Sequence, residues 1–299
     1  MWPFRRRVSQ AVQTREQFFW LGGRRHVDAT YPLPKDLGEV NRLDFQHFVL
    51  RNGFGGNYLA PVERPQAILD VGCGTGRWAM EMATLFPAAK VTGVDIVAPA
   101  VDREATLGSG LDRRPPNYSY TQGNALEGLP FPERSFDFTH QRLLATAIPK
   151  DRWPYEVAEL ARVTKPGGWV ELAEPGWPQH AGPGLNTLWD SWVELCARRG
   201  ADFRIGPSIG GLLESAGLRQ VTRHVKEFPM GAYGGRLGQM SATDCLATGE
   251  ALRGPTVGAG VLSSAEYERL MTMARAEMAQ PTGTAVLPFY LTCGRRAGT

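Results

Sequence analysis

The stretch that most constrains this chain runs from Ala67 to Ile96, AILDVGCGTGRWAMEMATLFPAAKVTGVDI. Ala67–Val71 is a short apolar run with β-branched members, the pattern of a buried strand. Gly72, Gly74 and Gly76 follow at alternate positions. Glycine there permits positive φ and removes the Cβ atoms that would keep a ligand off the backbone. Arg77–Phe86 then sets Trp78, Met82, Leu85 and Phe86 at helical spacing, and Pro87 stops the helix. Lys90–Val94 reads as a second strand with Asp95 at its carboxyl end. An acidic residue about 20 positions beyond a glycine turn is placed to accept hydrogen bonds from ribose hydroxyls.

The glycine spacing then discriminates between adenosine ligands. A dinucleotide fingerprint is G-x-G-x-x-G, with a helix N-terminus facing a pyrophosphate. Here the spacing is G-x-G-x-G, Arg77 stands where the third glycine belongs, and Asp70 precedes the first. A carboxylate repels a pyrophosphate and attracts an ammonium group. The site suits an adenosine ligand with a cationic tail and no phosphate, which describes S-adenosylmethionine.

DVGCGTG resembles the first motif of class I S-adenosylmethionine-dependent methyltransferases. A narrower resemblance begins upstream, in YPLPKDLGEVNRLDFQHFVLR. Tyr31, Leu33, Pro34, Asp36, Arg42, Leu43, Gln46 and His47 match the LaeA-like methyltransferases of fungi and their bacterial relatives. The match continues at Phe136, Asp137, Phe138, His140 and Arg142, at Lys165–Trp169, and at Pro288–Tyr290. The resemblance implies an α/β fold: a Rossmann-like, seven-stranded, mostly parallel sheet with helices on both faces and an antiparallel last strand. It also implies N-terminal helices and cap insertions, and a link to secondary metabolism.

Residue by residue, the resemblance assigns the cofactor to Asp70, Gly72, Cys73, Gly74, Gly76, Trp78, Asp95 and Ile96. Tyr31 and Gln46 are expected to lie over it. Asn124 and Ala125 follow the third strand, where an acidic or amide side chain contacts the adenine amino group. Asn124 keeps an acceptor oxygen for that contact, and it equally suits capping a turn. The backbone around Gln141 is expected beside the methionyl part. Arg142 is read as holding the cofactor carboxylate or an acceptor, or as a structural ion-pair partner.

Around this core, Val8–Leu21 is expected as a helix broken by Gly22 and Gly23, and Leu37–Arg51 as a helix capped by Asp36. Further helices are expected at Pro99–Leu107, Trp153–Val163, Leu185–Arg198, Ile209–Ala216, Thr243–Leu252 and Ala265–Met278. Strands are expected at Asn117–Tyr120, Ser135–His140, Trp169–Ala173, Leu218–Phe228 and Phe289–Cys293. The organisation is a helical extension or lid over residues 1–60 and a methyltransferase domain over 61–299. Cap insertions are placed near 175–205 and 230–281.

Sulfonium chemistry needs a base only where the acceptor must lose a proton. The candidates are Glu174, His180, His140 and His47, each weighed against a structural role. Phe18, Phe19, Trp20, Trp177, Trp189, Trp192 and Tyr233 are expected to wall a closed, mainly apolar acceptor cavity with Glu174 or His180 at its rim. The partner is a small-molecule acceptor, with a homo-oligomer through the N-terminal helices as a further option. A protein methyltransferase, or a cofactor-binding regulator acting through a partner, is the alternative. A net charge of +3 with scattered arginine pairs gives no nucleic-acid stripe. Cys73, Cys196, Cys245 and Cys293 have no metal spacing, and no metal is expected. No apolar run suits a membrane span. The opening MWPFRRRVSQ has no apolar core of a signal peptide, so a cytoplasmic enzyme is expected.

Overall fold

The computed structural model describes residues 19–21, 23–26, 32–34, 36–97 and 114–298. Most of the expected helix at Val8–Leu21, the helix at Pro99–Leu107, and the side chains of Phe18, Phe19 and Tyr31 lie outside the described residues.

The chain builds a seven-stranded sheet from β3 (Ala67–Val71), β4 (Lys90–Asp95), β5 (Tyr118–Gln122), β6 (Phe136–Arg142), β7 (Thr164–Pro175), β8 (Leu218–Pro229) and β9 (Val286–Arg296). Their order is β5-β4-β3-β6-β7-β9-β8. Pairs from β5 through β7 are parallel, and β9 runs antiparallel to both β7 and β8. Strand order reverses between β3 and β6, so a crevice opens at their carboxyl ends. The glycine turn lies at that point.

One face of the sheet packs on α2 (Arg77–Leu85) through Ile68, Trp78, Met82 and Phe138. Burying each such side chain contributes about 1.5–3 kcal/mol. On the other face α3 (Trp153–Val163) and α5 (Ile209–Ser215) bury Trp153, Leu160, Ile209 and Leu213. Above the carboxyl edge lie α1 (Leu37–Phe54), α4 (Pro183–Ala197), α6 (Gly235–Gly258) and α7 (Ser264–Met278). Asp36 caps α1 by accepting from the Glu39 N–H at 2.9 Å. Ser263 and Glu266 form a capping box on α7.

Two expectations are corrected. Phe19–Leu21 is a strand, β1, paired antiparallel with β2 (Arg24–His26), rather than the end of a helix. Between them Gly23 sits at φ +75°, a turn conformation open to glycine. The helix placed at Thr243–Leu252 instead runs from Gly235 to Gly258. Its glycines set packing distance. A Cβ on Gly238 would sit 2.1 Å from the Gly231 carbonyl oxygen, and one on Gly249 would sit 2.7 Å from Met271 Sδ. Close helix packing outweighs the weak helix propensity of glycine here.

Candidate active site

The turn after β3 hangs from the neighbouring strand. The N–H groups of Gly72 and Cys73 both donate to the Val94 carbonyl, at 2.8 and 3.1 Å. Gly72 has φ +67° and Gly74 has φ +55°. A Cβ on Gly72 would meet Leu144 at 2.7 Å, whereas one on Gly74 would meet nothing nearer than Leu43 at 3.8 Å. Gly74 thus leaves open backbone toward the crevice. Asp95 braces it: Oδ2 accepts from the Gly74 N–H at 2.9 Å and Oδ1 from the Val97 N–H at 3.1 Å.

Asp70 is buried at the base of the turn, with Oδ1 2.9 Å from His140 Nδ1. The His140 ring stacks on Trp78 at 3.8 Å between centroids. Burial pushes the pKa of His140 down, against the opposing pull of Asp70. The neutral ring therefore donates its Nδ1–H to Asp70 and fixes that carboxylate.

α1 closes over the turn. Asp44 accepts from Thr75 Oγ1 at 2.7 Å and from Arg77 at 3.1 Å. Three residues further along α1, His47 Nδ1 accepts from Arg142 Nη2 at 2.7 Å. His47 Nε2 lies 3.1 Å from Glu81, and Arg51 lies 3.3 Å from the same carboxylate. Burial holds the pKa of His47 below its ordinary value, although Glu81 opposes it. Burial would raise Glu81, but hydrogen bonds from His47 and Asn57 and the nearby charge of Arg51 outweigh it and hold the carboxyl below its usual range. Arg142 is thus steered by a neutral imidazole.

These groups surround a cavity of about 390 Å³. Asp70, Gly72, Cys73, Gly74 and Trp78 line it from the turn and α2, and Asp95 and Ile96 from the end of β4. Asn124, Ala125 and Arg142 line it from the next two strands, and Gln46 from α1. Tyr31 lies outside the described residues. Gly76 and Gln141 are not in the wall. A Cβ on Gly76 would sit 2.5 Å from Tyr118 Oη, so this glycine serves packing. The Gln141 side chain is fully buried. Asn124 caps a short turn, accepting from the Leu126 N–H at 3.1 Å, which leaves one lone pair of its oxygen for a ligand. Sequence reading missed Leu43, Thr75, Leu143 and Leu144, whose contribution depends on how α1 and the 143–148 segment fold over the turn. The residues present fit an adenosine cofactor with a cationic tail. A turn without Cβ atoms, the Asp95 carboxylate at the end of β4, the Asp70 carboxylate and the Arg142 guanidinium all border this one cavity.

A second cavity, of about 110 Å³, adjoins the first. Leu43, Gln46 and Leu143 line both. Its wall carries Trp189, Trp192, Phe203, Phe228 and Phe289, together with Glu174, Arg42 and Asp244. Trp192 is fixed by donating to Tyr267 Oη at 3.0 Å, which in turn donates to the Gly249 carbonyl at 2.6 Å. Trp20, Trp177 and Tyr233 do not join them. Trp20 is exposed, the Trp177 ring lies under the Arg204 guanidinium at 4.2 Å, and Tyr233 Oη accepts from the Met230 N–H.

The base candidates also separate. His180 is exposed, sits at φ +54°, and lines neither cavity. His140 is covered by Trp78 and Asp70 and lines neither cavity. Glu174 reaches the second cavity, but its two oxygens accept from the N–H groups of Leu144 and Ala145 at 2.8 and 3.2 Å. Burial raises it to about 8 against those bonds. It holds the 143–148 segment in place. Asp244, on α6, is the carboxylate that sequence reading did not single out. It lies 198 residues from Gln46, which donates to its Oδ2 at 3.1 Å. Only the fold brings the two together.

Comparison with known proteins agrees with this geometry. Residues 68–168 match the model of a methyltransferase domain. The chain is similar to N-methyltransferase tcpN of Claviceps purpurea, 30% identical over 275 residues that cover 86% of this chain and 94% of that protein. It is similar to methyltransferase str3 of Strobilurus tenacellus, 32% identical over 210 residues, 67% of this chain and 70% of that one. Among solved structures, phosphoethanolamine N-methyltransferase 2 of Haemonchus contortus in complex with phosphomonomethylethanolamine and S-adenosylhomocysteine shares the fold. Its TM-score is 0.51 at 18% identity, over 85% of this chain and 58% of that one. No helix among the described residues is long and apolar enough to cross a membrane.

Proposed function

This chain belongs to the class I S-adenosylmethionine-dependent methyltransferases, and from that premise we propose that it methylates a small, largely apolar acceptor of the natural-product kind. The observation that carries this reading is the second cavity: aromatic walls, set against the cofactor cavity across Leu43, Gln46 and Leu143. Relatives named methyltransferase str3 and N-methyltransferase tcpN support methyl transfer and leave the acceptor open.

When bound, the cofactor supplies a methyl group already activated on a sulfonium, so the protein's work is placement. Asp95 is assigned to the ribose hydroxyls and Asn124 to the adenine edge. Asp70 is assigned to the amino group, and Arg142, steered by His47, to the carboxylate. α1 covers the turn through Asp44 and excludes water from the wall shared by the two cavities. Glu174 fixes Leu144 and Ala145, and with them the floor of the shared wall. Residues 1–60 act as a lid, and the segments near 175–205 and 230–281 as the cap. A cavity of about 110 Å³ takes one ring-sized part of an acceptor; an apolar cavity of about 150 Å³ holds benzene.

The test is product mass spectrometry after incubation with labelled S-adenosylmethionine and separate small-metabolite and protein fractions. Label in small molecules supports the reading. Label confined to protein moves the assignment to a macromolecular acceptor.

A further inference from the structure

We propose that Asp244 is the polar anchor of the acceptor cavity and selects an acceptor bearing an amine. This rests on the second cavity being the acceptor site. Asp244 projects from α6 into a wall otherwise dominated by Trp189, Trp192 and Phe228. It is held in place without being saturated. Gln46 donates to Oδ2 at 3.1 Å, and Arg42 Nη1 stands 3.8 Å from Oδ1, which is buried and has no hydrogen-bond partner. A carboxylate has about four lone-pair sites, and this one keeps most of them.

The charges around it point to a cation. Arg42 is already engaged by Glu39, whose oxygens lie 2.6–3.0 Å from its guanidinium. Arg42 also donates to Thr248 at 3.1 Å. Glu39 and Asp244 are two negative charges against the single positive charge of Arg42, so the group carries one net negative charge beside an apolar cavity. Burial raises Asp244 to about 6, with Arg42 opposing the rise. An uncompensated charge beside apolar walls favours a bound cation, and aromatic walls add to that preference. A bound ammonium has its N–H beside the carboxylate. When that N–H bond breaks, the proton passes to Asp244, the electron pair stays on nitrogen, and the neutral amine has the lone pair a nucleophile needs.

Gln46 lies in both cavity walls. The amide that positions Asp244 therefore also borders the cofactor cavity.

The experiment uses the full chain loaded with S-adenosylhomocysteine and three ring-sized probes: cyclopentylamine, cyclopentanol and methylcyclopentane. Ligand-observed NMR titration gives their affinities. In wild type the amine should bind about tenfold or more tighter than the hydrocarbon, with the alcohol between them. Asp244→Asn should bring the amine level with the alcohol, and Asp244→Leu should remove the preference for both. Calorimetry with S-adenosylhomocysteine confirms that each variant is folded and keeps its cofactor half. Equal binding of the three probes by wild type, or an undiminished amine preference in Asp244→Asn, overturns the proposal and leaves the acceptor cavity standing. Saturable binding of none of them at millimolar concentration overturns both.

Discussion

The cofactor side and the cap side of the crevice hold their polar groups in different ways. On the sheet side, three strand carboxylates bond to backbone, alongside side-chain pairs at the turn such as Asp70 with His140 and Asp44 with Thr75. Asp95 takes the N–H groups of Gly74 and Val97, Glu174 those of Leu144 and Ala145, and Glu171 those of Leu59 and Ala60. On the cap side, side chains bond to side chains, within α1 for Glu39 with Arg42 and across distant helices for Arg42 with Thr248, Gln46 with Asp244 and Trp192 with Tyr267. A backbone N–H is present whatever the side chain, so the first arrangement tolerates change nearby. The second depends on several identities at once, and a partly satisfied buried network is worse than none. The cap-side contacts therefore stand or fall as a set.

The largest effect should come from breaking that set at its cation. Arg42→Met leaves Glu39, which is 2% exposed, without its ion-pair partner. Removing one member of a buried pair destabilises by about 3–5 kcal/mol. Urea denaturation should show that loss, and Glu39→Gln added to Arg42→Met should recover much of it. Cofactor affinity should hold, since Arg42 is absent from the first cavity. A loss below about 1 kcal/mol would place the pair with ordinary surface salt bridges and erase the contrast between the halves.

Asp95→Ala attacks the other half. It removes the proposed ribose acceptor and releases the N–H groups of Gly74 and Val97. Losing hydrogen bonds to a charged group costs about 1.5–3 kcal/mol, tenfold to over a hundredfold in affinity. Calorimetry with S-adenosylhomocysteine reads it. Asp95→Asn, which keeps one acceptor oxygen, should fall between. Unchanged affinity in a folded Asp95→Ala protein would remove Asp95 from the cofactor site.

The same division explains what could be read from the sequence. The β3–turn–α2–β4 unit is contiguous, its glycines and Asp95 fall at fixed offsets, and all of its elements form where the spacing puts them. Cap residues carry no such offsets. Asp244 sits in an unremarkable run, Ser241–Cys245, and acquires meaning only when α6 packs on α1. The expected helix at Thr243–Leu252 omits the glycine-rich start of α6 because propensity is local, while the packing that requires Gly238 is not. His140 reads as a catalytic candidate because type and position suggest it. Its stacking on Trp78 becomes visible only once β6 lies over α2. Trp189 and Trp192 are legible as a helical face, but which cavity they wall is not.

The smallest effect, and the one that sets the halves most directly against each other, is their response to acid. Burial lowers the pKa of His47 from 6.5. Its neighbours are Glu81 on α2, Asp44 on α1, and Arg142 and His140 on β6, and burial outweighs the two carboxylates. The unfolded imidazole therefore protonates before the folded one. Stability from this site is present above pH 6.5 and is lost as pH falls below that value. Asp244 runs the other way: raised from 3.8 to about 6, its contribution is full below 3.8 and is lost as pH climbs through about 6. Protonating His47 puts an N–H where Nδ1 now accepts from Arg142, and a second positive charge beside that guanidinium. If Arg142 holds the cofactor carboxylate, affinity for S-adenosylhomocysteine should be level near neutral pH and fall as pH drops below the ordinary histidine range. His47→Gln keeps an acceptor oxygen for Arg142 and carries no titrating ring. It should bind within about threefold of wild type at neutral pH, with the acid-side fall removed. Calorimetry across the acid range decides it: the same decline in wild type and His47→Gln would detach His47 from Arg142's role.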